Sequence, residues 1–201
     1  MSLGHVKFWG IKPEIRVLGL DDGSFKPRVR GKALVIGVVL RSGRMLEGVM
    51  STSVEIDGTD ATGKVIEMVN RSRHKPQLRV IMSEGITLAG FNVLDLGEIF
   101  RQTGLPMIVV TRKKPNMLEV KKALKHLPCW RERWRMMKAA GKVYPVSFRG
   151  RKIYMQLAGI RREDAEKILT ITTTHGVMPE PLRVAHLIAT GMTRGESVGR
   201  V

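Results

Sequence analysis

A chain of 201 residues with 43% apolar side chains is long enough to bury a sizeable core, and it reads as one domain spanning 1–201. Thirty-five Lys and Arg against 18 Asp and Glu leave a formal charge of +17, which favours a polyanionic partner, nucleic acid first. The single cysteine, Cys129, excludes an intramolecular disulfide and a cysteine-rich metal site; no apolar run reaches the ~18 residues of a spanning helix, and Met1 to Lys12 lacks the apolar stretch of a signal peptide. The expectation is a cytoplasmic protein with no membrane association and no particular protein partner.

In chain order, Ile15 to Leu20 and Ala33 to Leu40 are apolar runs bordered by glycine and charge, and both predict strands. Met45 to Val54 is a third strand, joined to the second by Arg41-Ser-Gly-Arg44, a turn of hairpin length that makes the pair antiparallel. After Asp57-Gly-Thr-Asp60 the apolar spacing becomes helical, with Val65, Ile66, Met68 and Val69 before Asn70. Leu78 to Met82 then predicts a strand, Phe91 to Gln102 a helix stopped by Gly104, Pro106 to Val110 a strand and Leu118 to Leu127 a helix. The resulting β-β-β-α-β-α-β-α order over 15–127 is similar to the ribonuclease H-like arrangement. The fold class is therefore α/β: a mixed sheet whose first three strands are antiparallel, then strand–helix alternation, flanked by helices. Residues 128–201 read as a C-terminal extension. It holds a helix from Trp130 to Ala140, a hairpin of Val143 to Phe148 and Lys152 to Leu157 around Arg149-Gly-Arg151, helices over 161–169 and 182–190, and a basic tail, Arg194 to Arg200.

Three acidic positions fall where a strand gives way to a loop or helix: Asp21, then Asp57 or Asp60, then Glu84. In a ribonuclease H-like sheet these ends converge. A carboxylate cluster from separate strands suits Mg²⁺ or Mn²⁺, which prefer oxygen ligands and assist phosphodiester displacement. Each acid also has a structural reading: Asp21-Asp22-Gly23 as a turn, Thr59 or Asp60 as a helix cap, Glu84-Gly85 as a solvent-facing strand end.

Four motifs in order, Leu18-Gly-Leu-Asp-Asp-Gly-Ser-Phe25, Ile56-Asp-Gly-Thr-Asp-Ala-Thr62, Ser83-Glu-Gly-Ile-Thr-Leu-Ala-Gly-Phe-Asn92 and Pro179-Glu-Pro-Leu-Arg-Val-Ala-His186, resemble a largely archaeal family linked to deoxyuridine endonuclease and related to endonuclease V. The resemblance spans most of the chain and implies an endonuclease V-like fold. It makes Asp21 the central metal ligand and aligns Asp60 with the catalytic Glu of endonuclease V and Glu84 with the Asp ending its fourth strand. Two of these acids thus differ in length from that relative. Where endonuclease V has a His-Pro-Arg element this chain has Leu88-Ala-Gly-Phe91, and no aromatic, Pro-rich strand-separating loop precedes Asp60. Deoxyinosine recognition is therefore not carried over.

A base pocket of Thr87, Gly90, Phe91 and Asn92 would let Phe91 stack on a base and Asn92 pair with its edge; the alternative is that Asn92 caps a helix and Phe91 packs inward. Residues 112–167 carry 17 basic and five acidic side chains. Within that stretch Arg112, Lys113 and Lys114 follow a strand close to the acids and are candidates for phosphate contact. Trp130 and Trp134, with arginines between them, form either a stacking surface or a core-facing stripe. His175 and His186 lack zinc-site spacing and read as structural, and Gly85 to Gly90 lacks the Gly-Lys-Ser/Thr ending of a P-loop.

The leading expectation is a Mg²⁺- or Mn²⁺-dependent endonuclease in which Asp21, Asp60 and Glu84 bind metal, with Asp22 and Asp57 as further ligands and Arg112, Lys113, Lys114, Phe91 and Asn92 contacting DNA or RNA. Deoxyuridine repair is the substrate implied by the resemblance. The alternatives are a catalytically weak nucleic-acid-binding protein on the same fold, and RNA processing.

Overall fold

The computed structural model describes residues 4–27, 29–148 and 150–197. Arg149, expected in the C-terminal hairpin turn, and the end of the expected basic tail lie outside the described residues. Strands β1 (Arg16–Asp22), β2 (Lys32–Arg41) and β3 (Met45–Glu55) are followed by helix α1 (Ala61–Arg71), β4 (Val80–Glu84), and the two short strands β5 (Thr87–Leu88) and β6 (Asn92–Val93). Next come α2 (Leu96–Thr103), β7 (Met107–Thr111), α3 (Met117–Leu124), α4 (Trp130–Ala139), β8 (Tyr144–Phe148), β9 (Arg151–Ala158), α5 (Arg162–Thr172) and α6 (Glu180–Arg194).

Seven strands form one sheet in the order β3-β2-β1-β4-β7-β9-β8. The first three pair antiparallel, β1, β4 and β7 run parallel, and β9 returns antiparallel to β7. Ser42 and Gly43, at φ 58° and 62°, both take the left-handed conformation at the centre of the β-turn that Arg44 closes by donating its amide to the Arg41 carbonyl at 3.0 Å.

The strand periodicity assigns the two faces. Leu18, Leu20, Val35 and Val39 join Val65, Val69, Leu96 and Ile99 under α1 and α2, and each such fully buried side chain contributes about 2 kcal/mol. On the other face Val17, Val80, Met82, Ile108 and Val110 pack with Ala165, Ile168 and Leu169 of α5 and Leu182 of α6, while Ile36, Val38 and Leu40 meet Ala185 and Ala189. With both faces covered, β2 reads as an unbroken apolar run.

Two expectations change. Residues 91–95 are not the first turn of a helix: Asn92 and Val93 pair with Thr87 and Leu88, and the helix starts after Asp95, whose carboxylate accepts from the Glu98 amide at 2.9 Å. Val93 and Leu94 are buried there, so tertiary contact overrides the local helical spacing. The stretch 128–201 supplies two strands of the main sheet and, in α6, the helix lying along β1.

Candidate active site

Gly19 and Asp21 alternate along β1, Gly23 follows its last residue in the same phase, and all three face α6. A Cβ on Gly19 would overlap the Pro181 carbonyl, and one on Gly23 would overlap Thr193. The two glycines therefore let the helix lie flat on the strand, and Asp21 between them meets His186, Oδ2 and Nδ1 being 2.8 Å apart. Residues 180 to 194 form a continuous helix whose apolar stripe of Leu182, Ala185 and Ala189 fixes this rotation.

Leu20 pairs with Ser83 in the parallel β1–β4 register, so the next residues, Asp21 and Glu84, are neighbours at the carboxyl ends of adjacent strands and point to one face. Asp21 is 8% exposed. Burial and the adjacent Asp22 charge, with a smaller push from Glu84, raise its carboxyl to about 7 against the pull of His186. Burial raises Asp22 as well, opposed mainly by the Ala89 amide. Arg112, at the end of β7, stands with Nε 3.6 Å from Glu84, while Lys113 and Lys114 are exposed in the loop beyond it.

Asp22, Asp57 and Asp60 are instead engaged by the β5–β6 hairpin. Asp22 Oδ2 accepts from the Ala89 amide, Asp57 Oδ1 from the Phe91 amide at 2.9 Å, and Asp60 Oδ1 from Asn92 Nδ2 at 2.7 Å. Asn92 is fully buried: its Oδ1 accepts from the Ala61 amide at 3.0 Å and its Nδ2 also donates to the Glu55 carbonyl at 3.0 Å. It caps α1, the helix before it in sequence, and presents no free edge to a base. Phe91 is half-buried and packs, as Trp130 and Trp134 do, against the cluster of Val93, Leu124 and Met137.

The structure therefore brings Asp21, Glu84 and Asp22 together, with Arg112 beside them, and places Asp57 and Asp60 on the adjoining loop. Among the described residues, no three His, Cys, Asp or Glu side chains stand close enough to enclose a single ion in their present positions. The donor chemistry nevertheless fits a hard divalent cation: two adjacent carboxyls are held above their ordinary range by burial and by neighbouring negative charge, a deficit that a cation relieves. His186 closes the fourth family motif but reads on its own as a structural histidine; its place beside the apolar stripe of α6 was a further signal, and only the sheet topology shows what it faces.

A recess of about 1080 Å³ opens at the other end of the sheet, between the β2–β3 turn and the α5–α6 loop, and none of these acids lines it. Among the described residues no helix is long and apolar enough to cross a membrane.

The model of the Endonuclease dU family matches residues 13–193. A UPF0215 protein of Methanothermobacter thermautotrophicus is 51% identical over 199 residues, covering 98% of this chain and 97% of its own. The crystal structure of a protein of unknown function from Archaeoglobus fulgidus superposes with a TM-score of 0.82 at 40% identity, covering 90% of this chain and 99% of its own. Human ENDOV superposes with a TM-score of 0.61 at 19% identity, covering 96% of this chain and 91% of its own, which identifies the fold as that of endonuclease V. Four sequence motifs, the sheet order and these matches agree, and the chain belongs to the Endonuclease dU family.

Proposed function

We propose that the protein is a Mg²⁺- or Mn²⁺-dependent endonuclease that hydrolyses phosphodiester bonds in nucleic acid, with deoxyuridine in DNA as its recognised base. The observation that carries this reading is the pairing of Asp21 and Glu84 on one face at the carboxyl ends of β1 and β4, with Asp21 raised to about 7. It is an anionic focus on a chain of charge +17. Family membership and the endonuclease V fold support a nuclease; deoxyuridine follows from the family description alone.

Asp21 and Glu84 would hold the cation, with Asp22 beside them and Asp60 joining on release from Asn92. A divalent cation in this position supplies charge to the phosphate undergoing displacement and acidifies the attacking water. His186 hydrogen-bonds Asp21 and would fix its orientation. Arg112, whose Nε lies 3.6 Å from Glu84, would hold a phosphate oxygen, and the exposed Lys113 and Lys114 a neighbouring phosphate.

The test is cleavage of end-labelled oligonucleotides carrying deoxyuridine or deoxyinosine, beside undamaged DNA and RNA, with Mg²⁺, Mn²⁺ or chelator. Metal-dependent cutting at deoxyuridine that disappears in Asp21→Asn is expected. Cutting of RNA alone would replace the substrate, and salt-sensitive binding without any cutting would replace the enzyme by a binding protein.

A further inference from the structure

Arg133 is 2% exposed, and in the middle of a helix whose other arginines, 131 and 135, are in solvent. Its guanidinium donates four ways: Nε to the Pro128 carbonyl at 3.1 Å, Nη1 to the Gly58 and Phe91 carbonyls at 2.5 and 2.6 Å, and Nη2 to the Asp57 carbonyl at 2.7 Å. Every acceptor is a backbone oxygen. A buried cation is costly to desolvate, so a site that satisfies it with carbonyls alone must hold those carbonyls firmly.

Three of the four carbonyls, those of Asp57, Gly58 and Phe91, belong to the segments that engage the acids. Phe91 donates its amide to Asp57 Oδ1 and gives its carbonyl to Arg133. The Asp57 amide donates to the Ala89 carbonyl at 2.9 Å, and the Ala89 amide donates to Asp22. Peptide dipoles thus run from the guanidinium on one side to carboxylates on the other, and each contact aligns the next. Among the described residues, four non-glycine residues have positive φ, and three of them, Asp57, Ala89 and Cys129, surround this assembly; Cys129 immediately precedes α4. Such backbone costs about 1–3 kcal/mol per residue and persists only where surrounding contacts impose it.

We propose that Arg133 is the positioning residue of the acidic centre: it fixes the 57–60 and 89–91 loops, and through them Asp22, Asp57 and Asp60, without touching substrate. Lysine cannot replace it, because one ammonium on a flexible stem does not span four carbonyls held in different directions. The effect on catalysis rests on the nuclease reading above; the effect on the loops does not.

The experiment compares wild type, Arg133→Lys and Arg133→Met by amide hydrogen exchange and by cleavage kinetics. In both variants the Asp57, Ala89 and Phe91 amides should lose protection by about 10–100-fold, while those of β1 and β4 change by less than about threefold. With an active wild type, kcat should fall about 100-fold with KM within about twofold, the signature of displaced catalytic groups. Unchanged loop protection overturns the proposal, as does a rise in KM at constant kcat, which would make Arg133 a substrate ligand. Should both variants fail to fold, wild-type exchange decides: loop amides protected as strongly as those of β4 support the clamp, and freely exchanging ones overturn it. A wild type that cuts nothing removes the nuclease reading and leaves the exchange result standing.

Discussion

Asp21 and His186 are 165 positions apart in sequence and 2.8 Å apart in space, joined because Gly19 and Gly23 let α6 lie against β1. The contact sets the pull of His186 on the Asp21 carboxyl against the push of the neighbouring Glu84 charge.

The raised Asp21 carboxyl makes stability depend on pH in a defined direction. Its folded value, about 7, lies above the ordinary value of 3.8, so between these pH values the folded state binds the proton more tightly than the unfolded chain. Stability therefore falls as pH rises through this window, and the deficit is complete above about pH 7. Asp21→Asn removes it. In the absence of divalent cations the variant should gain on the order of 2 kcal/mol at pH 8, about 5 °C in Tm, and the gain should vanish toward pH 4. Thermal melts at both pH values check this; equal Tm differences at pH 4 and pH 8 would remove the role assigned to the Asp21 proton.

His186 lowers the Asp21 carboxyl through its hydrogen bond and its charge. Replacing it with Gln should leave the helix intact and push the Asp21 carboxyl higher. The acid limb of the pH–rate profile for cleavage should move up by about one pH unit, with reduced kcat at neutral pH. An unshifted limb would mean that Asp21 does not control activity.

Gly19 is a packing device for the same contact. Gly19→Ala drives a Cβ into the Pro181 carbonyl, and the backbone of α6 must withdraw. Destabilisation of about 1–3 kcal/mol is expected, together with a loss of activity larger than the fraction unfolded explains. Denaturant unfolding set against activity of the folded fraction measures both, and full activity in a destabilised variant would separate α6 from the chemistry.

Much of the fold could be read along the chain because its signals are local: Val- and Ile-rich runs, the Ser42-Gly43 turn, and the change to helical spacing after Asp60. Asp21 and Glu84 were readable for the same reason, as acids ending apolar strands. The β5–β6 hairpin was not. Its strands are two residues long, and their placement comes from Asn92 reaching Ala61 and Asp60, contacts more than 30 residues away in sequence. Arg133 was hidden among Arg131 and Arg135, although Trp130, Arg133, Trp134 and Met137 fall on one helical stripe, and only the fold shows that four carbonyls await it.

Asn92 separates a structural role from a base-reading one. Asn92→Ala leaves the buried Ala61 amide without its acceptor and takes one donor each from the Glu55 carbonyl and the half-buried Asp60 carboxylate, which should cost about 1–3 kcal/mol. Because no base reaches it, the ratio of cleavage at deoxyuridine to cleavage at thymidine should stay the same in the fraction that remains folded. A change in that ratio at unaltered stability would restore Asn92 as a base contact.

Lys113 and Lys114 are exposed beside Arg112, itself close to Glu84, so their contribution is separable from stability. Each phosphate neutralised by a lysine releases condensed counterions, steepening the fall of log affinity with log salt by about 0.9 on duplex DNA and about 0.7 on single strands. If both contact phosphates, Lys113→Gln with Lys114→Gln should flatten that slope by roughly 1.4–1.8 and weaken binding to all sequences alike, with the melting temperature unmoved. Filter binding or fluorescence anisotropy across a salt series reads the slope directly. A variant with the wild-type slope would place the phosphate track elsewhere on the basic surface, where exposed Arg131, Arg135 and Lys138 of α4 are the next residues to neutralise.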